Sequence, residues 1–199
     1  MNEQLRPASL PLTTQAAEGL PRRRWTVAEI EEMVAKGIIG EEERFELIGG
    51  EVVPMSPKGI RHERVKVTLA KYWYQRLPDG IELAPETTFR LSEDSFVEPD
   101  FVFFRKSDGL AGLKSGTCLL AVEIADSSLA YDLGRKAGVY AGFGVGEVWV
   151  VNANTLVTRI HRDPRHASYQ DTREVGADEQ LVPAFAPALA VTLGTLDFV

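Results

Sequence analysis

Hydrophobic and polar positions switch along this chain between a two-residue and a 3.6-residue period, and each switch marks an element. Cys118–Ile124 (CLLAVEI) is apolar at every position but one. Cys118, Leu120, Val122 and Ile124 fall on one face of an expected strand, Leu119 and Ala121 on the other. A strand apolar on both faces belongs in the middle of a sheet. Asp100–Phe104 and Glu147–Val151 are read as two further strands. A helix over about Leu129–Ala141 has Asp126, Ser127 and Ser128 as N-cap candidates and ends at Gly142, Gly144 and Gly146. Strand, helix and strand in that order predict a parallel pair with a right-handed crossover.

Upstream, Thr26-Val-Ala-Glu29 is a capping box, so a helix is expected from Val27 to about Lys36, closed by Gly37. RFELI-GG-EVVPM places two short apolar runs around Gly49-Gly50, a β-hairpin signal. Ile60–Leu77 reads as a long helix with Val65, Leu69 and Trp73 on one apolar line. Arg61, Arg64 and Lys71 follow a second line, which suits either a phosphate backbone or solvent. Short strands are expected at Ile81–Ala84 and Thr87–Leu91, with a polar turn at Ser92–Ser95. Peripheral antiparallel strands are expected at Leu156–His161, about Ala167–Glu174, and Leu189–Leu193.

Composition narrows the class. The chain has 199 residues, 44% hydrophobic and 26% charged, as expected of an ordinary globular domain with a real core. Residues 1–24, with Pro7, Pro11 and Pro21, read as a flexible tail, and 25–199 as a single domain. The tail carries four arginines and two glutamates, so of the net charge of −7 the remaining 175 residues hold −9. That balance argues against a broad basic nucleic-acid surface and for divalent cations wherever carboxylates cluster. No apolar run is long enough to span a membrane or resembles a secretory signal. The lone Cys118 is read as a buried structural thiol, and the expected compartment is a reducing cytoplasm.

Glu123 is the ionisable residue inside the apolar strand, and a buried carboxylate requires compensation. Asp100 is a second acid, at the start of a neighbouring strand. Lys136 lies on the following helix at i, i+4, i+8 with Asp132 and Tyr140. Two strand-borne carboxylates with a nearby lysine can hold Mg²⁺ or Mn²⁺ for hydrolysis, with Glu46 as a third acid. The plain alternative is a buried Glu123–Lys136 pair, with Asp100 a turn residue and Glu46 an exposed hairpin residue. His62 reads as either a site residue or, more simply, a surface histidine; His161 and His166, which flank an expected turn at Asp163-Pro164, are read as surface residues. No GxxxxGK[ST] loop, GxSxG elbow or zinc-ligand spacing is present.

FELIGGEVVPMSP (45–57) with His62, VEPDFVFF (97–104) and VEIADSSLAYDLGRKAGVYAGFGVGEVWVV (122–151) together resemble the Uma-two family of the PD-(D/E)XK nuclease-like superfamily. The resemblance covers about Trp25–Val199. It implies an α/β (mixed α+β) restriction-endonuclease-like core, with a central mixed β-sheet flanked by helices. It also implies Mg²⁺-dependent cleavage of DNA phosphodiester bonds, and a homodimer. The superfamily's Pro-Asp falls on Pro99-Asp100, its second metal-binding acid on Glu123, and an upstream acid on Glu46. The lysine expected two residues after Glu123 is replaced by Ala125, and the displaced lysine of the family matches Lys136. Tyr140 and Trp149 also match the family pattern and are read as packing residues. Arg61, Arg64 and Lys71 become the candidate DNA-backbone contacts. The other readings are a nuclease-fold binding or scaffold protein without turnover, for which Ala125 and the acidic balance speak, and a hydrolase of smaller phosphoesters.

Overall fold

The computed structural model describes residues 23–40 and 42–198. The expected tail lies outside them apart from Arg23 and Arg24, as does Glu41 of the acidic run at 41–43. The elements in chain order are α1 (Val27–Ala35), β1 (Phe45–Ile48), β2 (Glu51–Pro54), α2 (Ile60–Tyr74), β3 (Ile81–Pro85), β4 (Phe89–Ser92), β5 (Ser95–Val97), β6 (Phe101–Arg105) and β7 (Cys118–Ala125). A helical segment at 129–142 follows, then β8 (Glu147–Asn152), β9 (Thr158–Arg165), β10 (Ser168–Val175), β11 (Gln180–Leu181) and β12 (Val191–Thr192).

Six strands form the main sheet in the order β10-β9-β8-β7-β6-β3, and β7 lies inside it as its two apolar faces require. The β7–β8 pair is parallel and the other neighbours are antiparallel, so the sheet is mixed. One face carries Trp73, Leu69 and Val65 of α2, together with the C-terminal segment around Leu189 and Leu193. There the Trp73 ring meets Phe101 and Phe103 edge-on at 5.3 and 5.1 Å. The other face packs against the 129–142 helix and residues of a second sheet, ordered β2-β1-β5-β4. Helix α1 covers Leu47 of that second sheet.

Local chemistry explains the elements that position the site. The Thr26–Glu29 capping box forms as expected. Gly49 and Gly50 both take positive φ (58° and 78°), the conformation of a two-residue hairpin turn whose twist suits β1 and β2. The 129–142 helix is continuous, but its central turn, Asp132–Lys136, is π-helical between α-helical ends. A π turn widens the helix by one residue per turn and re-aims the side chains on it, which makes it common at functional sites. Ser128 occupies the N-cap position, yet its hydroxyl donates to Asp132 Oδ2 at 2.5 Å rather than capping the backbone.

Several expectations are corrected. Leu120 pairs with Phe103 but Cys118 with Phe104, so a bulge at the start of β7 turns Cys118 to the opposite face from Leu120 and Leu119 towards it. Helix α2 stops at Tyr74, ahead of Pro78. The polar turn at Ser92–Ser95 leads into β5, three residues too short to show a period. Strands β9 and β10, at eight residues each, are longer than expected and extend the main sheet as antiparallel strands, with β10 at its edge. Their turn falls at His166-Ala167, so Pro164 lies within β9, and His161 is buried beside Thr172. Of the expected strand Leu189–Leu193 just Val191–Thr192 forms, paired with β11, and Leu189 ends a 3₁₀ turn.

Candidate active site

The antiparallel register of β6 and β7 sets the two strand acids side by side. Phe101 pairs with Val122, so the next residues outward, Asp100 and Glu123, are opposed on the face that carries Ala121 and Ala125. Both are buried, at 4% exposure each. They line a cleft of about 330 Å³ with Glu46, His62, Asp132 and Lys136. The four residues read as the catalytic set, Asp100, Glu123, Lys136 and Glu46, therefore converge from the residue before β6, from β7, from the π turn and from β1. Glu46 is 2% exposed, which removes the reading of it as an exposed hairpin residue.

Lys136 joins two of the acids. Its Nζ lies 2.7 Å from Glu46 Oε1 and 2.9 Å from Glu123 Oε1. Glu46 Oε1 also accepts the Glu98 amide at 3.1 Å, which ties β1 to the approach of β6. The Tyr140 hydroxyl donates to Glu123 Oε1 at 2.5 Å while its ring stacks on Phe89. Tyr140 is thus a site residue as well as a packing one. Trp149 is a packing residue, with its indole N–H on Glu147.

Asp100 is held from three directions. Oδ2 accepts the Ile124 amide at 2.8 Å. Oδ1 receives His62 Nε2 at 2.9 Å and Lys58 Nζ at 3.1 Å. His62 is consequently not a surface histidine: it is buried in the first turn of α2 and faces the strand acid. Of the two partners of Oδ1, His62 had a site reading in the sequence and Lys58 had none. Lys58 stands on the loop before α2, between Pro57 and Gly59. A Cβ on Gly59 would meet Asp126 Oδ2 at 2.9 Å, so the loop is pressed against the end of β7.

Burial and charge act differently on the two strand acids. Burial opposes ionisation of Asp100, but His62, Lys58 and the Ile124 amide outweigh it and hold its carboxyl below the ordinary range. Burial pushes Glu123 well above that range; Lys136 offsets only part of the rise, and Asp132, Asp100 and Glu46 add to it. Asp132 is raised for the same reason, against the pull of Lys136 and Ser128. Burial would strip the proton from Lys136, but Glu123, Glu46 and Asp132 prevail and hold it as an ammonium more firmly than water does. Around Lys136 the acids outnumber the cations.

Among the described residues, no three His, Cys, Asp or Glu side chains are arranged as a metal cage. A hard divalent cation does not require one, since Mg²⁺ is ordinarily held by one or two carboxylates, waters and substrate phosphate. Adjacent Asp100 and Glu123 oxygens fit that ligand set, and the surplus of buried acid is relieved by added positive charge. The basic line of α2 does not enter the cleft: Arg61, Arg64 and Lys71 are exposed on its outer side. The Arg64 guanidinium donates to the Phe198 carbonyl at 2.5 Å. No helix among the described residues is long and apolar enough to cross a membrane.

No curated protein matches the chain. Among solved structures it is similar to the crystal structure of a "putative nuclease belonging to DUF820" from Anabaena variabilis ATCC 29413. That likeness has 17% sequence identity and a TM-score of 0.63, over 85% of this chain and 95% of the other. At that identity the likeness is one of fold, and it agrees with the mixed sheet flanked by helices. The family model Uma2, described as "Putative restriction endonuclease", matches residues 27–194, and the chain belongs to the Uma2 family.

Proposed function

We propose that the protein is a divalent-metal-dependent endonuclease that hydrolyses DNA phosphodiester bonds. The observation that carries this reading is the opposition of Asp100 and Glu123 across the β6–β7 ladder, in one cleft with Lys136 and Glu46. A structural protein gains little from burying three acids around one lysine, because desolvating charges generally costs as much as their pairing returns. Buried acids that perturb one another's protonation inside a cleft are the arrangement that chemical sites use.

Asp100 and Glu123 would hold Mg²⁺ or Mn²⁺, which supplies polarisation of a phosphoryl oxygen and acidification of a water. Lys136 is held between Glu46 and Glu123 beside that position. It orients the water or stabilises the charge that develops on the phosphoryl group. Glu46 holds Lys136 in place and adds its carboxylate to the cation's surroundings. Tyr140 donates to the same Glu123 oxygen that Lys136 contacts and so helps to fix that carboxyl. Arg61, Arg64 and Lys71 are the proposed contacts to the DNA backbone outside the cleft, and a homodimer would present two such sites.

A second reading, a nuclease-fold binding protein without turnover, is favoured by the engagement of both Asp100 oxygens by protein groups. Calorimetric titration of Mn²⁺ and Mg²⁺ into wild type and Asp100→Asn separates the two. Binding to wild type that disappears in the variant supports the metal site, and metal-dependent nicking of plasmid DNA then completes the case. Indistinguishable isotherms for the two proteins remove Asp100 from the site.

A further inference from the structure

A divalent cation that approaches Asp100 Oδ1 meets the Lys58 ammonium already 3.1 Å from that oxygen, and like charges repel. Oδ2 is taken by the Ile124 amide within the sheet. On Oδ1, His62 is buried and fixed in the first turn of α2, whereas Lys58 reaches in from a loop. Lys58 also has a second carboxylate at hand, since its ammonium is hydrogen-bonded to Glu86. Glu86 is held beside the site by its own backbone. It takes a left-handed φ of 46°, unusual for a residue with a side chain, and its amide donates to the Asp100 carbonyl at 3.2 Å. Glu86 itself lies outside the cleft lining.

We infer that Lys58 is an exchangeable guard of Asp100: without metal its ammonium occupies the cation position at Oδ1, and an entering divalent cation displaces it onto Glu86. This rests on Asp100 being a cation ligand, as proposed above. The exchange conserves the contacts that matter, because only the Lys58–Asp100 interaction breaks. It keeps the buried Asp100 carboxylate compensated in the metal-free protein. It also leaves an ammonium at the cleft rim, one carboxylate away from the metal, where a substrate phosphate arrives.

The test is a double-mutant cycle read by Mn²⁺ calorimetry without nucleic acid, on wild type, Lys58→Met, Glu86→Gln and the double variant, each verified as folded by its thermal transition. Removing the guard should tighten Mn²⁺ binding about tenfold, and removing its alternative carboxylate should weaken binding several-fold. Glu86 also pairs with Lys66 and Arg44, but of these three cations only Lys58 contacts Asp100, so the double variant should bind like Lys58→Met. Simple addition of the two effects would mean that both residues act through their charge alone, and would overturn the exchange. So would an affinity in Lys58→Met no tighter than wild type. Asp100→Asn run alongside separates the failures: binding lost there but unchanged in Lys58→Met ends the guard role only, whereas no binding to wild type or Lys58→Met ends the metal site with it.

Discussion

Lys136 Nζ lies 2.7 Å from Glu46 Oε1 where neither side chain exceeds 5% exposure, and the contact joins the π turn of the 129–142 helix to the first strand of the second sheet. The two residues are distant in the chain, and each would be costly to bury alone. Their meeting is what makes the second sheet part of the site rather than a cover for the main one. The same ammonium reaches Glu123 at 2.9 Å, so a single cation links a hairpin, a central strand and a helix.

Lys136→Met should therefore cost stability as well as activity. It leaves Glu46 and Glu123 buried without their shared cation, a loss of about 3 kcal/mol in urea denaturation at neutral pH. Cleavage should fall about a hundredfold as the charge at the reacting phosphate is lost. Mn²⁺ binding should persist, because Asp100 and Glu123 remain. Equal cleavage rates for variant and wild type would take Lys136 out of the mechanism.

Tyr140→Phe removes one hydrogen bond and little volume. The phenol donates to the buried Glu123 carboxyl at 2.5 Å, and removing one partner of a buried hydrogen bond costs about 1–3 kcal/mol. Denaturation should show a loss in that range, with the Phe89 stacking retained. A loss below about 0.5 kcal/mol would return Tyr140 to packing alone.

What could be read from the sequence follows the range over which each signal acts. The capping box at Thr26, the Gly49-Gly50 turn and the doubly apolar β7 are local, and all three formed. The two strand acids were legible because a charge in an apolar strand is conspicuous, and Lys136 because the helix period aligns it with Asp132 and Tyr140. His62 was legible only as one of two readings. What decides between them is the docking of α2 beside Asp100, a contact between distant segments. Lys58 is one charged residue in a Pro- and Gly-flanked loop, which reads as solvent until Asp100 and Glu86 are placed around it. The bulge that turns Cys118 over is equally hidden, because an apolar run looks the same in either register.

His161 gives a pH dependence away from the cleft. Burial, helped by Arg159, lowers its affinity for a proton below that of an ordinary imidazole near 6.5. The unfolded chain then binds the proton more readily than the folded one, so stability falls as the pH drops below about 6.5 and levels off once the folded protein also titrates. The advantage of wild type over His161→Gln in denaturation at pH 7.5 should shrink at pH 5.5. A gap that stays constant or widens on acidification would contradict the assignment.

The outer side of α2 makes the last prediction, and its readout is salt. Arg61 and Lys71 are exposed there, away from the cleft, and Arg64 between them is also exposed while donating to the Phe198 carbonyl. If this side follows a DNA backbone, each residue that neutralises a phosphate releases condensed counterions, and log Kobs falls against log salt with a slope of about −0.9 per contact. Arg61→Glu/Lys71→Glu should then weaken binding of a short duplex, measured in Ca²⁺ to suppress cleavage. The slope should become shallower by about 2, as two contacts are lost. The effect should be uniform across sequences, because phosphate contacts position DNA without reading it. An unchanged slope with unchanged affinity would assign this side of the helix to solvent and leave the cleft mouth, with Lys58 at its rim, as the place where the nucleic acid is held.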